Sequence, residues 1–329
     1  MNLRFFFIDN ARFSQRVHIT NNLYSFPTNL KEKYQELLSR DLTEAELSVA
    51  KEIVRQYREK RLKPYLYDYY TKVYHFSGII KILSKIKKYI LGKQYRIQSI
   101  LDVIRFSTYV RNTRFKITKF IFKTNCLFKT YQPDYSDKYF YFPLHHQPEA
   151  TIDLMGAFYS DQNIVVDAVS KSLPAGYYLY VKDHPSMFGL RPLRYYRDLM
   201  KFPRVKLIDT YADSYELTEH SAGVVAITGT AGWEAFILGK PFIVFGQIFY
   251  NCAGGNVHFV QSVYDLPSIL KKAVESPHSD DEKILKFCLA YYKTTYPGII
   301  YVPKLMPSML SDETIGQLTD AIVKAYSEL

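Results

Sequence analysis

From about residue 138 onward, short apolar runs alternate with longer segments in which apolar residues recur every three or four positions. The short runs are typical of strands buried on both faces, and the longer spacing is typical of helices. The predicted strands cover residues 138–143, 177–182, 204–208, 223–227 and 241–245. The predicted helices cover residues 160–172, 191–201, 214–220, 230–238, 265–275, 281–292 and 312–327. This alternation predicts stacked βαβ units, and therefore an α/β fold with a parallel sheet.

Before residue 138 the pattern is mainly helical. Thr43 and Glu46 have the spacing of a capping box, in which each side chain accepts a hydrogen bond from the other residue's backbone N–H. This start predicts a helix that runs to about Lys60, and Pro64 would end it, because proline disfavours helical geometry in the residue before it. Only residues 3–8 and 114–121 have the pattern of strands in this part of the chain.

A second predicted helix, over residues 76–91, is amphipathic. Its isoleucines and leucines fall on one face, and Lys81, Lys85 and Lys88 fall on another. A basic amphipathic helix can lie on an anionic bilayer, and it can equally pack on its own domain. The sequence leaves both alternatives open.

The net charge of +11 is unevenly distributed. Residues 1–130 hold 26 lysines and arginines against 10 aspartates and glutamates, a net charge of +16, whereas the remaining residues have a net charge of −5. We therefore predict a basic, helix-rich domain over residues 1–134 that faces an acceptor or a membrane, and a second domain over residues 135–329. The asymmetry favours contact with a polyanion or an anionic membrane, and a solvated basic surface is the alternative.

Composition narrows the class of protein. With 47% hydrophobic residues and a mean hydropathy of −0.18, the chain is predicted to be folded and soluble. No run reaches the ~18 apolar residues of a membrane span, and the start is too short and too soon acidic for a signal peptide. Three scattered cysteines predict no disulfide framework and favour a reducing cytoplasm. No Asp-x-Asp motif or His/Cys cluster predicts a metal site.

Three of the predicted strands are followed by residues that can do chemistry. The first is followed by His145, His146 and Glu149 on one short loop. Because the carboxyl ends of parallel strands meet at one edge of an open sheet, these loops are expected to line a ligand crevice. Glu149 is a candidate nucleophile or base if the crevice removes water from it, and capping of the following helix is the alternative.

The second strand ends near Lys182 and His184. Residues two apart on a strand point to the same side, and two cationic groups aimed into one crevice suit a phosphate. The following Pro185 ends the strand. An isolated histidine with a purely structural role is the alternative.

The third strand leads into a glycine-rich turn that runs from Thr228 to Glu234. Gly229 and Gly232 permit close approach of the backbone, and the helix that follows offers free amides to an anion. The turn is neither a Walker A loop nor a G-x-G-x-x-G motif, and a plain strand-to-helix turn is the alternative. Gln247, after the next predicted strand, is expected to face the same crevice.

At these motifs the chain resembles the capsule polysaccharide synthesis family of bacterial surface-glycan enzymes. The resemblance covers residues 138–260. It rests on four motifs in order, namely Gln147-Pro148-Glu149, Lys182-x-His184-Pro185, Gly229-x-Ala231-Gly232-x-Glu234-Ala235 and Gly239-Lys240-Pro241 with Gly246. The family includes retaining β-Kdo transferases, which resemble two-domain GT-B enzymes and use CMP-Kdo. The implied fold is GT-B-like, with a Rossmann-like sugar-nucleotide-binding domain after residue 134 and a closing C-terminal helix.

The resemblance implies roles for individual residues. Glu149 would be the catalytic nucleophile, and His184 would act both in catalysis and on the nucleotide. The expected donor-binding residues are Lys182, His184, Thr228, Gly229, Thr230, Glu234 and Gln247. A CMP-sugar has a single phosphate, so cationic groups and a helix N-terminus could stabilise the leaving group without a metal or another cofactor.

Two features depart from the family. The relatives carry Asp at the position of Glu149, so one extra methylene shifts the carboxylate here. The N-terminal half is short and helical where an intact GT-B enzyme has a Rossmann-like sheet, so either a reduced acceptor domain or a truncated homologue is expected.

The leading hypothesis is a cytoplasmic, membrane-peripheral glycosyltransferase of capsule or lipopolysaccharide assembly that transfers Kdo from CMP-Kdo with retention. Its expected partners are the sugar-nucleotide donor, a glycan or lipid-linked acceptor and an anionic membrane surface, with no nucleic acid. One alternative is a transferase that uses another CMP-sugar or a CDP-polyol. The other is a catalytically silent nucleotide-binding or membrane-docking module.

Overall fold

The computed structural model describes residues 6–22, 26–60, 116–118, 120–121, 129–185, 187, 190–275, 281–300 and 307–328. The predicted basic helix over residues 76–91 lies outside the described residues, together with most of the positive charge of the first 130 residues.

The described strands are β1 (Phe7–Asn10), β2 (Arg16–Thr20), β3 (Tyr139–Pro143), β4 (Tyr178–Lys182), β5 (Val205–Ile208), β6 (Gly223–Ala226), β7 (Phe242–Val244), β8 (Val257–Phe259) and β9 (Tyr296–Pro297). The described helices are α1 (Leu30–Leu38), α2 (Glu44–Lys60), α3 (Ala150–Asp153), α4 (Gln162–Ser172), α5 (Leu193–Leu199), α6 (Ser214–His220), α7 (Thr230–Ile237), α8 (Leu266–Glu275), α9 (Asp281–Lys293) and α10 (Asp312–Glu328). Short 3-10 helices cover Ala157–Tyr159, Phe249–Ala253, Val263–Asp265 and Pro307–Leu310. Every strand and helix predicted after residue 138 is confirmed, with ends within two residues of the prediction.

A six-stranded parallel sheet is the centre of the fold, with the order β5-β4-β3-β6-β7-β8. The chain builds the sheet outward from β3 in one direction and then returns to place β6 on the other side of β3. The strand order therefore reverses between β3 and β6. The α/β fold class with a parallel sheet is confirmed.

Alternate residues of each central strand pack into two separate hydrophobic cores, one on each face of the sheet. In β3, Tyr139 and Tyr141 pack with α1, α2, α7 and α9 on one face, whereas Phe140 and Phe142 pack with α4 and α8 on the other. All four side chains are buried. Because both faces are covered, the strands are continuously apolar, which is why the sequence locates them well.

Aromatic rings explain how the first sixty residues join the sheet. Seven rings among the described residues have centroids within 6.4 Å of the Trp233 ring, and they come from five separate stretches of the chain: Phe13, Tyr57, Phe236, Phe249, Tyr250, Phe287 and Tyr291. Large rings bury much apolar area and pack edge to face, so this cluster stabilises the contact between α2, α7 and α9.

A second, antiparallel sheet has the order β1-β2-β9. Helix α10 covers it, since Ala321 and Ala325 pack against Ile19 of β2. The predicted capping box at the start of α2 is confirmed. The Thr43 N–H donates to Glu46 Oε2 at 3.1 Å, and the Glu46 N–H donates to Thr43 Oγ1 at 3.3 Å.

Two predictions for the first half fall partly outside the described residues. Of the strand predicted over residues 3–8, residues 3–5 lie outside the described residues, and Phe7 and Ile8 belong to β1, which ends at Asn10. The strand predicted over residues 114–121 is wrong, because the described residues 116–118 and 120–121 are helical. The buried positions there, Thr118 and Ile121, are three apart, which is the spacing of a helix face rather than of a strand.

The domain boundary near residue 134 stays a prediction. Within the described residues, α1 and α2 pack directly on α9, and β2 pairs with β9, so both ends of the chain contribute to the same packing. No described helix has the length and apolar character needed to span a membrane.

Candidate functional site

The point where the strand order reverses places two loops side by side at the carboxyl edge of the sheet. We call residues 144–149, which follow β3, the β3 loop, and residues 227–229, which follow β6, the β6 loop. The described residues that follow β4, namely 183–185, 187, 190 and 191, are the β4 loop. Open α/β sheets bind their ligands at such a reversal, outside the carboxyl ends of the strands.

His145 joins the β3 loop to the β6 loop. Its Nε2 accepts a hydrogen bond from the Thr228 N–H, with 3.4 Å between the nitrogen atoms. A Cβ atom on Gly229 would lie 2.9 Å from His145 Cε1, so the ring rests against that glycine. Burial lowers the pKa of His145 to about 4, and the neighbouring His184 and Arg191 act in the same direction. The ring is therefore neutral at pH 7 and keeps a lone pair for the Thr228 amide.

Gln162, at the start of α4, fixes the backbone of the β3 loop. Its Oε1 accepts from the His145 N–H at 2.7 Å, and its Nε2 donates to Gln147 Oε1 at 2.7 Å. The side chain is buried, so the two bonds satisfy an amide that has no access to water. Sequence reasoning missed this residue.

His146 and His184 bring the β3 and β4 loops together. Their ring centroids are 6.0 Å apart, with the edge of one ring facing the other. His184 is exposed at the sheet edge. Its pKa is lowered nevertheless, first by loss of water on part of the ring and then by His146, Lys182 and Arg191. At neutral pH His184 is an uncharged imidazole that can donate one N–H to a ligand.

Lys182 is buried at the end of β4, in contrast to the exposed His184. Its Nζ donates to the Thr210 carbonyl at 3.2 Å. Burial lowers the pKa of Lys182 to about 8, while the carboxylates of Asp183 and Asp213 oppose that shift. The hydroxyl of the same threonine, Thr210 Oγ1, is buried and has no hydrogen-bond partner among the described residues. Lys182 therefore contacts a residue that has a buried hydroxyl with no hydrogen-bond partner.

Glu234 belongs to α7, one turn after Thr230, and is partly buried. Loss of water raises the pKa of Glu234 to about 7; Arg12 and Lys182 oppose the shift, and Asp213 adds to it. Arg12 comes from the turn between β1 and β2. Glu234 also lines a small cavity with Tyr57 and Tyr215. The acidic Glu234 and the basic Lys182 thus lie close enough to influence each other near the carboxyl end of β4.

The remaining predicted binding residues lie around the β6 loop. Thr228 is buried, and its Oγ1 donates to the Thr151 carbonyl at 3.1 Å. Gly229 has φ 101° and ψ 177°, a conformation that glycine adopts far more easily than other residues. Thr230, the first residue of α7, is exposed. Gln247 is exposed after β7. These residues line one edge of the sheet.

Glu149 ends the β3 loop and its residue is exposed. Its N–H donates to Asp153 Oδ2 at 3.0 Å, and its carbonyl accepts from the Asp153 N–H at 2.9 Å. The backbone of Glu149 therefore starts α3, as the helix-capping alternative expects, while its side chain faces solvent. Its role as nucleophile stays a prediction.

Sequence reasoning also missed a buried polar group at the β4 loop, formed by Asp183, Arg191 and Tyr196. The described residues contain no group of three or more histidine, cysteine, aspartate or glutamate side chains that could hold a metal ion.

Comparison with known protein families identifies the class. The profile of a family described as capsule polysaccharide biosynthesis protein matches residues 80–257, which is more than half of the 329 residues and includes all three loops. The chain belongs to the capsule polysaccharide biosynthesis family. The resemblance inferred from the four motifs is thereby confirmed. A comparison with curated protein sequences gave no match.

Solved structures similar to this capsule biosynthesis family member include two from Thermosulfurimonas dismutans. The KpsC β-Kdo 2,7 transferase is 13% identical with a TM-score of 0.46, over 86% of this chain and 68% of that chain. The KpsC β-Kdo 2,4 transferase is 13% identical with a TM-score of 0.44, over 86% of this chain and 67% of that chain. The spinosyn rhamnosyltransferase SpnG, in complex with thymidine diphosphate, is 14% identical with a TM-score of 0.30, over 50% of this chain and 44% of that chain.

Proposed function

We propose that this protein is a glycosyltransferase of bacterial capsule polysaccharide assembly that transfers Kdo from CMP-Kdo to a glycan or lipid-linked acceptor, with retention. The observation that carries the proposal is the meeting of three loops where the strand order reverses. His145 Nε2 lies 3.4 Å from the Thr228 nitrogen, and the His146 and His184 rings are 6.0 Å apart. Membership of the capsule polysaccharide biosynthesis family supports a role in capsule assembly.

The phosphate of the donor would lie between β4 and the start of α7. Lys182, with a pKa of about 8, is predominantly charged at pH 7, and His184 supplies a neutral N–H donor. The first amides of α7, preceded by Gly229, face the same edge and favour an anion. These groups would stabilise the charge that develops on the departing phosphate, without a metal.

The nucleoside would lie along the β6 loop and α7. Glu234 offers a carboxyl group to hydroxyls, and Thr210 Oγ1 is a buried hydroxyl with an open bonding position. Thr228, Thr230 and Gln247 add polar groups along the same edge. A ligand rich in hydroxyls and with one phosphate matches this combination.

The reaction proceeds in two displacements. A Glu149 oxygen attacks the anomeric carbon, the bond from that carbon to the phosphate oxygen breaks, and its electron pair leaves on CMP. An acceptor hydroxyl then attacks the same carbon and displaces the carboxylate, and the hydroxyl proton passes to a base. Two inversions give overall retention.

The same proposal places the enzyme at the cytoplasmic face of the inner membrane. The net charge of +16 over residues 1–130 supports contact with anionic lipid or with an anionic lipid-linked acceptor.

A thermal-shift screen with CMP, CDP, UDP and GDP tests the donor class. We expect CMP to raise the melting temperature most, because a ligand that binds only the folded state stabilises it by mass action. Preferential stabilisation by UDP or GDP, or by none of the four, contradicts a CMP-sugar donor. Transfer from CMP-Kdo to an acceptor glycan, followed by mass spectrometry, then tests the reaction.

A catalytically silent nucleotide-binding module is the second candidate, and the exposed side chain of Glu149 is the observation that favours it. Binding of CMP without turnover of CMP-Kdo or of any CDP-polyol would identify that module. Turnover of a CDP-polyol instead of CMP-Kdo would identify the other transferase alternative.

A further inference from the structure

Asp183, the first residue of the β4 loop, accepts three hydrogen bonds on one buried carboxylate. Its Oδ1 accepts from the His184 N–H at 2.8 Å and from Arg191 Nε at 2.9 Å. Its Oδ2 accepts from the Tyr196 hydroxyl. The Asp183 and Arg191 side chains are 0% and 5% exposed, so this ion pair is isolated from water.

Arg191 reaches the β3 loop with its other nitrogen. Its Nη2 donates to the His145 carbonyl, and its guanidinium lies 4.8 Å from the centre of the Tyr195 ring. One side chain thus binds the carboxylate beside His184 and the carbonyl of His145. The planar guanidinium holds these two partners in a fixed relative geometry, which a flexible ammonium group does not do.

Stability alone does not explain this arrangement. Moving an arginine and an aspartate out of water costs several kcal/mol, and apolar residues of similar volume often stabilise a protein as well as a buried ion pair. The ion pair fixes the position of the β3 loop relative to the β4 loop, because Arg191 binds a residue of each. Both loops belong to the edge where the donor would bind.

We propose that Arg191 is a positioning residue that couples the β3 loop to the β4 loop, and so sets the places of His145 and His184 at the donor site. The donor site itself rests on the proposed function. The coupling between the two loops is a property of the unliganded protein and can be measured without a donor.

Arg204 provides a matched control. Its Nη1 donates to the carbonyls of Leu173 and Pro174 at 2.9 and 3.0 Å, and its Nη2 donates to the Ser170 carbonyl at 3.0 Å. Arg204 therefore also ties backbone carbonyls together, but it does so just before β5 begins, at the opposite edge of the sheet. Loss of its contacts affects stability without touching either loop.

The coupling is tested by NMR of the histidine rings in full-length protein, with signals assigned through single His→Gln variants. We expect Arg191→Lys to shift the ring signals of both His145 and His184, and Arg204→Lys to shift neither. We also expect Asp183→Asn, which alters the β4 loop, to shift the His145 signal, because Arg191 transmits the change. Unchanged His145 signals in both Arg191→Lys and Asp183→Asn, or equal changes in Arg204→Lys, would overturn the proposal.

Calorimetric titration with CMP separates this inference from the proposed function. If wild-type protein binds CMP, Arg191→Lys should weaken binding about tenfold, a change of about 1.4 kcal/mol, while Arg204→Lys should leave it within twofold. Equal CMP affinity in Arg191→Lys and wild type would overturn the role at the donor site. If wild-type protein binds no CMP, the proposed function fails, and the histidine signals alone still decide whether Arg191 couples the loops.

Discussion

The amide N–H of Thr228 donates to Nε2 of His145 across the two central strands of the sheet, with 3.4 Å between the nitrogen atoms. This contact requires a neutral imidazole, since a protonated ring has no lone pair to offer. Burial lowers the pKa of His145 to about 4, which keeps the ring neutral in the working range of most enzymes. Two loops that are 83 residues apart therefore meet through one uncharged side chain.

Substitution of Gly229 should disturb this junction. In Gly229→Ala the new Cβ would lie 2.9 Å from His145 Cε1, and the backbone at φ 101° disfavours alanine. We expect the free energy of unfolding to fall by about 2–3 kcal/mol and CMP binding to be lost. Urea denaturation and calorimetry measure these effects.

Gly254→Ala is the control for Gly229→Ala, because Gly254 also has a positive φ, +62°, but no atom lies within 4 Å of an added Cβ. It should lose about 1 kcal/mol and keep CMP binding. Equal losses of stability in the two variants would contradict the clash with His145.

Glu149→Gln should abolish transfer, because the amide cannot act as a nucleophile. It should leave CMP affinity within twofold, because residue 149 is exposed at the edge of the sheet. Its free energy of unfolding should change by less than about 0.5 kcal/mol. Rates of product formation and calorimetric titration provide the two measurements. Asp153→Asn, one turn further on, controls for changes at the start of α3 and should keep its activity. Retained turnover in Glu149→Gln would remove Glu149 from the nucleophile role.

Lys182→Met should weaken CMP binding by at least about tenfold, because a charged hydrogen bond to the phosphate is lost. The folded protein should remain stable at pH 7, since methionine fills the buried site without the cost of burying an ammonium group. Calorimetry with Lys171→Met as control makes the comparison, because Lys171 is exposed and pairs with Asp167 on its own helix at 2.6 Å. Unchanged affinity in Lys182→Met would place the phosphate elsewhere.

Glu234→Gln should alter how stability depends on pH. The pKa of Glu234 in the folded protein is about 7, above its ordinary value of 4.5, so the folded state holds a proton that the unfolded state releases. This contribution is full below pH 4.5 and is lost as the pH rises through 7. We expect the glutamine variant to match wild type at pH 4 and to exceed its free energy of unfolding by about 3 kcal/mol at pH 8.

Urea denaturation at the two pH values decides the Glu234 prediction. His145 and His184 have pKa values lowered from 6.5 to about 4. Their contribution to the free energy of unfolding therefore rises with pH between these values, whereas that of Glu234 falls. The difference between the variant and wild type is therefore the quantity to compare, since the histidines contribute equally to both. A difference that does not change with pH would contradict the raised pKa of Glu234.

Much of the parallel sheet is predictable from the sequence because its strands are covered on both faces. Runs such as that of β6, in which all four residues are buried, leave a continuous apolar signal. β8 escapes prediction because it is three residues long with His258 at its centre. α1 also escapes, since Asn29 at its start adopts a left-handed conformation and its side chain makes no capping hydrogen bond.

The candidate site is predictable only as far as its motifs reach. The motifs place His145, His184 and Thr228 at one edge, because strand ends are visible in the sequence. Arg191 and Gln162 are different, since each acts on a loop that is distant in the chain: Arg191 lies 46 residues from His145, and Gln162 lies 17 residues from it. Such partners are chosen by tertiary packing, which no local pattern encodes.

The packing of α1 and α2 on α9 has a consequence for the order of folding during synthesis. The rings of Tyr34 and Phe287 are 5.0 Å apart, yet the ribosome makes the first long before the second. The apolar faces of the first helices must therefore wait for nearly the whole chain before they find their partner. Contacts of such long range are expected to form late, so the apolar faces of these helices stay exposed until release and are a part of the chain that chaperones would protect.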